Sequence, residues 1–203
     1  VVSVIPRLSD AGQRVVGYVG SAIATGSTTV SLQQGGVPVR ATAPAANGEF
    51  VLYPVPAGNY DLVISAAGRV TAVMTSVPVG TTSVTTLNST SFAFLPAPST
   101  STTVTGTVTP TSATVRALQT MTGSLTVEVG WASVDAVSGG FQVALPDQAP
   151  VRTTYVPNAT TYTFSAESAA AGLYTLEAAY EGSVQTRSIN TSALPPSIAF
   201  SFP

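Results

Sequence analysis

Apolar and polar residues alternate at every second position over much of this chain. In YDLVISA, residues 60–66, the tyrosine, leucine, isoleucine and final alanine share one face. In YTLEAAYE, residues 174–181, two tyrosines share a face with a leucine and an alanine. A repeat of two places successive side chains on opposite faces of a strand. The pattern therefore predicts half-buried β-strands with their tyrosines turned inward.

Further strands are predicted in the same way, and turn residues separate them. The additional strand candidates are TTVSLQ, VPVRAT, EFVLYPV, SLTVEVGWASV, GFQVAL and TYTFSA. Asn-Gly at 47–48, Pro-Ala-Gly at 56–58 and Ser-Gly-Gly at 138–140 are typical turn sequences. No segment keeps a helical period, and SAAAG at 168–172 has room for one helical turn only. We therefore expect an all-β protein.

A set of landmark residues occurs twice with identical spacing. The landmarks are Phe50, Gly58, Tyr60 and Gly68 in the first copy and Phe164, Gly172, Tyr174 and Gly182 in the second. We interpret the spacing as one hairpin built twice, with a strand, a tight turn at the first glycine and a returning strand closed by the second. This interpretation predicts a positive φ at Gly58 and Gly172 and burial of both tyrosines.

The repeat divides the chain into two halves. Each half starts with a valine-rich strand around a glycine, Gly17 or Gly106, and ends in Phe-x-Phe followed by proline. Between the halves the chain is rich in proline, serine and threonine. We therefore expect a first β-sandwich domain at 1–97, a linker at 98–103 and a second, diverged domain at 104–203.

The second half is the longer one. Gly106 and Phe164 are 58 positions apart, whereas their counterparts in the first half are 33 apart. We expect about 25 extra residues as an additional hairpin or loop near 146–165. The segment GGFQVALP around Phe141 also resembles GEFVLYPV around Phe50, so the exact point of insertion stays open.

One segment of the first half resembles a known family. NGEFVLYPVPAGNYDLVISAAGR is similar to the carboxypeptidase regulatory-like domain in its G-x-F, P-A-G-x-Y and terminal A-x-G motifs. The resemblance covers residues 15–95 and is weaker over 103–203, where Ala170 stands in place of Pro56. It implies two tandem transthyretin-like Greek-key β-sandwiches of about seven strands each. Members of that family are usually non-catalytic accessory modules of secreted or surface-attached bacterial proteins, without shared catalytic residues to carry over.

Composition excludes several kinds of chemistry. The chain has no Cys, no His and no Lys, and only 8% of its residues are charged. It therefore lacks the usual ligands of zinc, copper and haem, as well as Ser-His-Asp, Cys-His and Schiff-base catalytic groups. A net charge of −2 gives no electrostatic basis for binding nucleic acid. No apolar run reaches the length of a membrane span.

The acidic residues show no site-like clustering in the sequence. Glu49, Asp61, Glu177 and Glu181 lie in or beside predicted strands. We interpret them as solvated residues on the polar faces of those strands. No D-x-D or D-x-N-x-D run is present for a calcium loop. We therefore expect no enzymatic activity, no metal and no cofactor.

Two features are candidates for ligand contact. Alternation with Val127 and Val129 places Trp131 on an inward face, so we expect it in the core rather than in a sugar-stacking platform. The inserted segment PDQAPVRTTYVPNATTY is the better candidate, because loops added to a rigid sandwich commonly carry recognition. Its candidate binding residues are Asp147, Gln148, Arg152, Tyr155, Asn158 and Tyr162. The alternative is an edge hairpin that only covers the sheet.

Low charge combined with a mean hydropathy of +0.37 indicates a surface that neighbouring molecules bury. The terminal segments VVSVI and SIAFSF are apolar enough to extend a partner's sheet, and residues 1–8 are the favoured donor. We expect a non-catalytic structural or interaction protein of the cell exterior. It would self-associate or bind other surface proteins, for example as a filament subunit. The alternative is an accessory module that binds carbohydrate or another ligand.

Overall fold

The computed structural model describes residues 12–23, 27–81, 84–89 and 93–203. Within these ranges the regular structure is β-strand, apart from single 3₁₀ turns at Ser21–Ile23 and Ser168–Ala170. The alternation of apolar and polar residues had indicated this class. The prediction of an all-β protein is therefore confirmed.

Seven strands of the first half enclose one core. They are β1 (Gln13–Tyr18), β2 (Thr28–Gln34), β3 (Val37–Thr42), β4 (Glu49–Val55), β5 (Gly58–Ala66), β6 (Ala72–Val79) and β7 (Val84–Thr86). β1 lies between β4 and β7 in one sheet, and β5 lies between β2 and β6 in the other. Phe50 from the first sheet packs with Leu32 and Leu62 from the second, all at most 1% exposed. The core therefore lies between the two sheets.

Ten strands follow in the second half. They are β8 (Ser101–Thr109), β9 (Thr114–Met121), β10 (Leu125–Trp131), β11 (Ser133–Val134), β12 (Gly140–Pro146), β13 (Val151–Thr154), β14 (Ser165–Ala166), β15 (Leu173–Tyr180), β16 (Ser183–Asn190) and β17 (Ala199–Ser201). β8 is antiparallel to β12 and parallel to β17. In the same way, β1 is antiparallel to β4 and parallel to β7. β15 lies between β9 and β16, as β5 lies between β2 and β6. The pairing pattern thus occurs twice, while the transthyretin-like assignment and the domain boundaries stay predictions.

In the structure, Phe141 is the counterpart of Phe50 in the second half. The identical spacing of the landmark residues had instead matched Phe50 with Phe164. Phe50 pairs with Gly17 across β4 and β1, and Phe141 pairs with Gly106 across β12 and β8. A Cβ on Gly17 would lie 2.5 Å from the Phe50 ring, and one on Gly106 would lie 2.4 Å from the Phe141 ring. Glycine is needed in both places because the ring crosses the neighbouring strand. Phe164 lies half-buried before β14.

The tyrosines of the repeat make the same hydrogen bond. Tyr60 and Tyr174 are 5% and 3% exposed, in agreement with the alternation. The Tyr60 hydroxyl donates to the carbonyl of Pro56 at 2.9 Å, and the Tyr174 hydroxyl donates to that of Pro146 at 2.6 Å. The tyrosine and its acceptor residue are 4 positions apart in the sequence of the first half and 28 positions apart in that of the second. The extra residues are therefore inserted between two bonded partners, and the bond is retained.

The prediction of positive φ holds at one of the two turn glycines. Gly172 has φ of 64°, whereas Gly58 is outside the left-handed region, so the prediction for Gly58 is wrong. Gly58 is instead under a packing constraint, because a Cβ there would lie 3.2 Å from the Tyr60 hydroxyl oxygen. Gly68 and Gly182, which close the two hairpins, have φ of 69° and 82°.

The insertion crosses to the first half and extends its sheet. β13 runs parallel to β6, from Val151 opposite Ala72 to Thr154 opposite Thr75, and β14 pairs with β13. The result is a six-stranded sheet in the order β14-β13-β6-β5-β2-β3. Of the strand predicted over 161–166, only the two residues of β14 are strand. The second half therefore supplies the backbone partner for an edge of the first half.

Apolar packing also joins the halves. Leu62 and Ile64 of β5 point into the first core, whereas Val63 between them belongs to the second core. Val73 of β6 joins Val63 there, among residues of the second half. This face of β5 is therefore an internal interface rather than a solvated surface.

The predicted linker and the C-terminal segment are both part of the sheets or bonded to them. Residues 101–103 belong to β8, and backbone N–H groups of Val70 and Ser99 donate to the carbonyls of Ala97 and Gly68. β17 pairs with β8, and Phe202 beyond it is buried. The SIAFSF segment, considered above as a donor for a partner's sheet, is therefore used within its own half.

We predict that Phe141→Ala reduces the free energy of unfolding as much as Phe50→Ala, by about 3–5 kcal/mol each, because both remove a buried ring. Phe164→Ala should cost less, since that ring is only half-buried. Urea unfolding of the three variants measures these losses. A larger loss for Phe164→Ala than for Phe141→Ala contradicts the assignment of Phe141 as the counterpart of Phe50.

We also predict the effect of removing the crossing strand. Residues 147–173 would be replaced by Ala-Gly-Asn, the connection that the first half uses between Pro56 and Tyr60. Hydrogen exchange should become faster in β6, because its edge loses β13, while β12 and β15 keep their protection. Protection of β6 equal to that in the intact chain contradicts a stabilising role for the crossing.

Candidate functional site

Polar side chains of the predicted binding segment anchor it to the second half. Asp147 accepts a hydrogen bond from the Thr102 hydroxyl at 2.6 Å, which holds the pKa of Asp147 below its ordinary value. Arg152 of β13 pairs with Glu167, with 3.2 Å between Nε and Oε1. Arg152 also donates to the Thr122 carbonyl at 2.9 Å. These side chains therefore have structural partners within the chain.

The tyrosines of this segment face the first core. Tyr155 and Tyr162 are half-buried and pack against that core, with the Tyr162 ring 5.9 Å from the Phe94 ring. Gln148 and Asn158 are exposed. The structure thus distributes the six candidate residues along the insertion and does not gather them around one cavity. A ligand site in this segment stays a prediction.

An ion cluster lies where the second half meets the first. Arg116 of β9 contacts Glu128 of β10 at 3.0 Å and Glu177 of β15 at 2.7 Å. It also donates to the Gly36 carbonyl of the first half at 3.3 Å. Glu177 was expected to be solvated, but it is paired and its side chain is 18% exposed. Burial raises the pKa of Glu128, and the Arg116 guanidinium opposes that rise.

A buried glutamine connects the halves beside this cluster. Gln33 of β2 is fully buried, and its side-chain amide donates to the Glu128 carbonyl and accepts from the Glu128 backbone N–H, both at 2.7 Å. Ser65 of β5 donates its hydroxyl to the Val129 carbonyl at 2.5 Å. Backbone polar groups of β10 are therefore satisfied by first-half side chains, as burial in an interface requires.

Trp131 is 55% exposed, so its expected position in the core is wrong. The register between β10 and β9 shifts between Glu128 and Gly130, which makes Val129 an extra residue on β10. The resulting bulge changes the alternation, so that Val127 and Val129 are buried while Trp131 emerges on the outer face. The lone Gly130 within a strand pattern is the sequence signal for such a bulge.

Trp131 borders a cleft of about 650 Å³ between the two halves. The outer face of the first half's sheet forms one wall, with Thr29, Ser65 and the apolar side chains of Val37 and Pro38. Strands β10 and β12 form the other wall. No sequence motif marks this cleft, because its walls come from strands far apart in the chain.

The remaining carboxylates do not form a reactive cluster. Asp61 is half-buried rather than solvated, and its burial raises its pKa, while Glu181 is exposed in the turn before β16. Across the residues that the structure describes, no three Asp or Glu side chains are placed to hold a metal ion. Within the same residues, no helix has both the length and the apolar character that crossing a membrane requires.

We predict that Arg116→Leu lowers the free energy of unfolding by about 3 kcal/mol at neutral pH, because it leaves Glu128 buried without its cation. The loss should shrink as the pH falls. Burial already raises the pKa of Glu128, removal of Arg116 raises it further, and protonation then removes the buried charge.

Denaturant unfolding at neutral and acidic pH measures this dependence. The double variant Arg116→Leu/Glu128→Gln is the matched control and should recover most of the stability, since no unpaired charge remains at that position. An equal loss at both pH values contradicts the proposed role of the buried charge.

Comparison with known proteins gives limited similarity. No protein-family model matches the chain, and no curated protein matches its sequence. Chains from crystal structures of two interface mutants of the type II cohesin–X-dockerin complex from Acetivibrio cellulolyticus are similar to part of it. The N-terminal interface mutant has 20% identity and a TM-score of 0.37, and the C-terminal interface mutant has 24% and 0.36. Each match covers 43% of this chain and 59% of the other chain, and at this level the likeness carries no conclusion about function.

Proposed function

We propose that this chain is a non-catalytic interaction protein of the cell exterior that assembles by strand addition to the open edge of β16. The proposal is carried by β16 itself. All eight of its residues pair with β15, and on its other side it pairs with no strand in the described part of the chain. Such an edge presents backbone N–H and C=O groups that another chain can bind.

β16 lacks the proline and the irregular register that protect other edges of this fold, and Arg187 is its one charged residue. It contains no proline, and its register with β15 runs without a shift from Ser183 to Asn190. By contrast, β3 contains Pro38 and a register shift, β4 contains Pro54 and a shift, and β10 contains the bulge. The other described edge strands, β7, β11, β14 and β17, have only two or three residues. Long, regular edges of this kind favour pairing between chains.

In the first half, the corresponding edge is already covered by an added strand. β6 has the place in its sheet that β16 has in the second half, and β13 covers it in parallel. Ile189 is buried opposite Tyr174, as Val77 is buried opposite Tyr60, so the two strands correspond in register. A further strand beside β16 would therefore repeat a geometry that this fold already contains.

Exposed apolar side chains lie near the same edge. Leu173, opposite the end of β16, is 45% exposed, and Val184 on β16 is 56% exposed. Few charged residues are available to keep such a surface solvated, since they make up only 8% of the chain. A neighbour that covers the edge would bury both side chains.

The proposed donor is the segment VVSVIPRL of a neighbouring copy, residues 1–8, which lie outside the described residues. Val1, Val2, Val4 and Ile5 suit a strand that ends before Pro6, and Arg7 is the only charged side chain of the segment. A donor segment and an acceptor edge on different surfaces of each copy make a head-to-tail contact. Contacts of this kind continue into a filament unless the rotation closes a ring.

Disulfide cross-linking tests this pairing, since the chain has no native cysteine. We predict that a chain carrying Val4→Cys and Thr186→Cys forms a ladder of linked oligomers on mild oxidation, because strand addition brings the two positions within disulfide distance. Moving the second cysteine along 184–188 should identify the register, with one or two positions favoured. Deletion of 1–8 should leave a folded monomer in sedimentation experiments.

The matched control carries Val4→Cys and Val137→Cys. Val137 is 93% exposed and lies in the turn between β11 and β12, so it is accessible but remote from the proposed contact in the strand order. Equal ladders from both double variants, or unchanged assembly after deletion of 1–8, contradict the strand-addition proposal.

A further inference from the structure

The cleft between the halves presents the only tryptophan of the chain at its margin. Trp131 is 55% exposed there, although a tryptophan normally contributes its large apolar surface to a core or an interface. The ring is thus an accessible flat surface beside a cavity of about 650 Å³.

The first-half wall of the cleft carries both hydroxyl-bearing and apolar side chains. Thr29 and Ser65 carry the hydroxyls on the first-half wall, and Val37 and Pro38 are the apolar residues next to them. Clefts at the junction of two structural units are common ligand sites, and a few polar groups within an apolar lining fix the orientation of the ligand. This lining suits a molecule that has both an apolar face and a rim of hydroxyl groups.

The charges in the cleft are already paired. Among the described residues that line the cleft, Arg116 is the only basic one and Glu128 the only acidic one. The Arg116 N–H groups bind Glu128, Glu177 and the Gly36 carbonyl, so none of its charge is left uncompensated for a phosphate or carboxylate ligand. The electrostatics therefore favour a neutral ligand.

We propose that this cleft binds a neutral carbohydrate, with one sugar ring stacked on the indole of Trp131 and its hydroxyls bonded to the walls. A sugar ring offers the apolar C–H face that stacks on an aromatic ring and a rim of hydroxyls. These hydroxyls can bond to Thr29 and donate to Ser65, whose own proton is donated to the Val129 carbonyl. The site is separate from the acceptor edge, because β10 and β16 are opposite edges of one four-stranded sheet. The inference therefore goes beyond strand addition and does not depend on it.

Tryptophan fluorescence tests the proposal directly, since all of the indole emission comes from Trp131. The full chain is titrated with cellohexaose, xylohexaose, mannohexaose and chitohexaose, and with hexagalacturonate as the anionic counterpart. We expect a saturable change in emission with at least one neutral sugar, with a Kd of about 1 mM or tighter, and none with hexagalacturonate. No response to any neutral sugar, or a preference for hexagalacturonate, overturns the proposal.

Variants separate this site from the inserted segment. Calorimetry should show binding reduced at least about tenfold in Trp131→Ala and partly kept in Trp131→Phe, because phenylalanine retains a smaller stacking face. Val137→Ala is the matched surface control and should bind as the unmodified chain does. Thermal unfolding checks that Trp131→Ala is folded. We expect it to be folded because the Trp131 side chain is 55% exposed. Loss of binding in Tyr155→Ala with full binding in Trp131→Ala would place the sugar in the insertion and overturn the proposal.

Discussion

The backbone pairing of β13 with β6 is the interaction on which the arrangement of this molecule depends. Four residues of the second half complete the first half's sheet along an edge that would otherwise expose unpaired N–H and C=O groups. The crossing also brings Tyr162 and Phe164 onto the first core. With the halves joined in this way, Val63 of the first half packs in the second core. The two halves are therefore parts of one packed structure rather than separate units joined by a flexible linker.

An extra residue on β10 lies among the polar contacts of the interface. The bulge at Val129 adjoins Glu128, whose backbone bonds to the amide of Gln33 and whose carboxylate contacts Arg116. It also turns Trp131 out of the core and toward the cleft. Bulges redirect side chains in this manner and occur often beside functional sites. The polar junction between the halves and the exposed aromatic surface therefore lie in the same short segment of β10.

The second half's four-stranded sheet has two long edges with different environments. β10 lies against the first half, whose Gln33 and Ser65 side chains bind its backbone. β16 has no such cover in the described structure, although its counterpart β6 is covered by β13. The proposed ligand site therefore lies beside β10 and the proposed acceptor strand is β16, at opposite edges of the same sheet. Assembly and sugar binding would then not compete for one surface.

The sequence by itself determined the features that depend on neighbouring residues. Alternation predicted the strands and the inward Tyr60 and Tyr174, because the period of two is a property of each strand alone. The tertiary structure decided the features that depend on contacts between strands far apart in the sequence. Phe141 rather than Phe164 corresponds to Phe50, because the strand opposite must offer a glycine, and Trp131 is exposed because β10 bulges against β9. The insertion adds to β6 because an open backbone edge accepts strands of many sequences, and so nothing in the residues of β13 specifies the sheet that it joins.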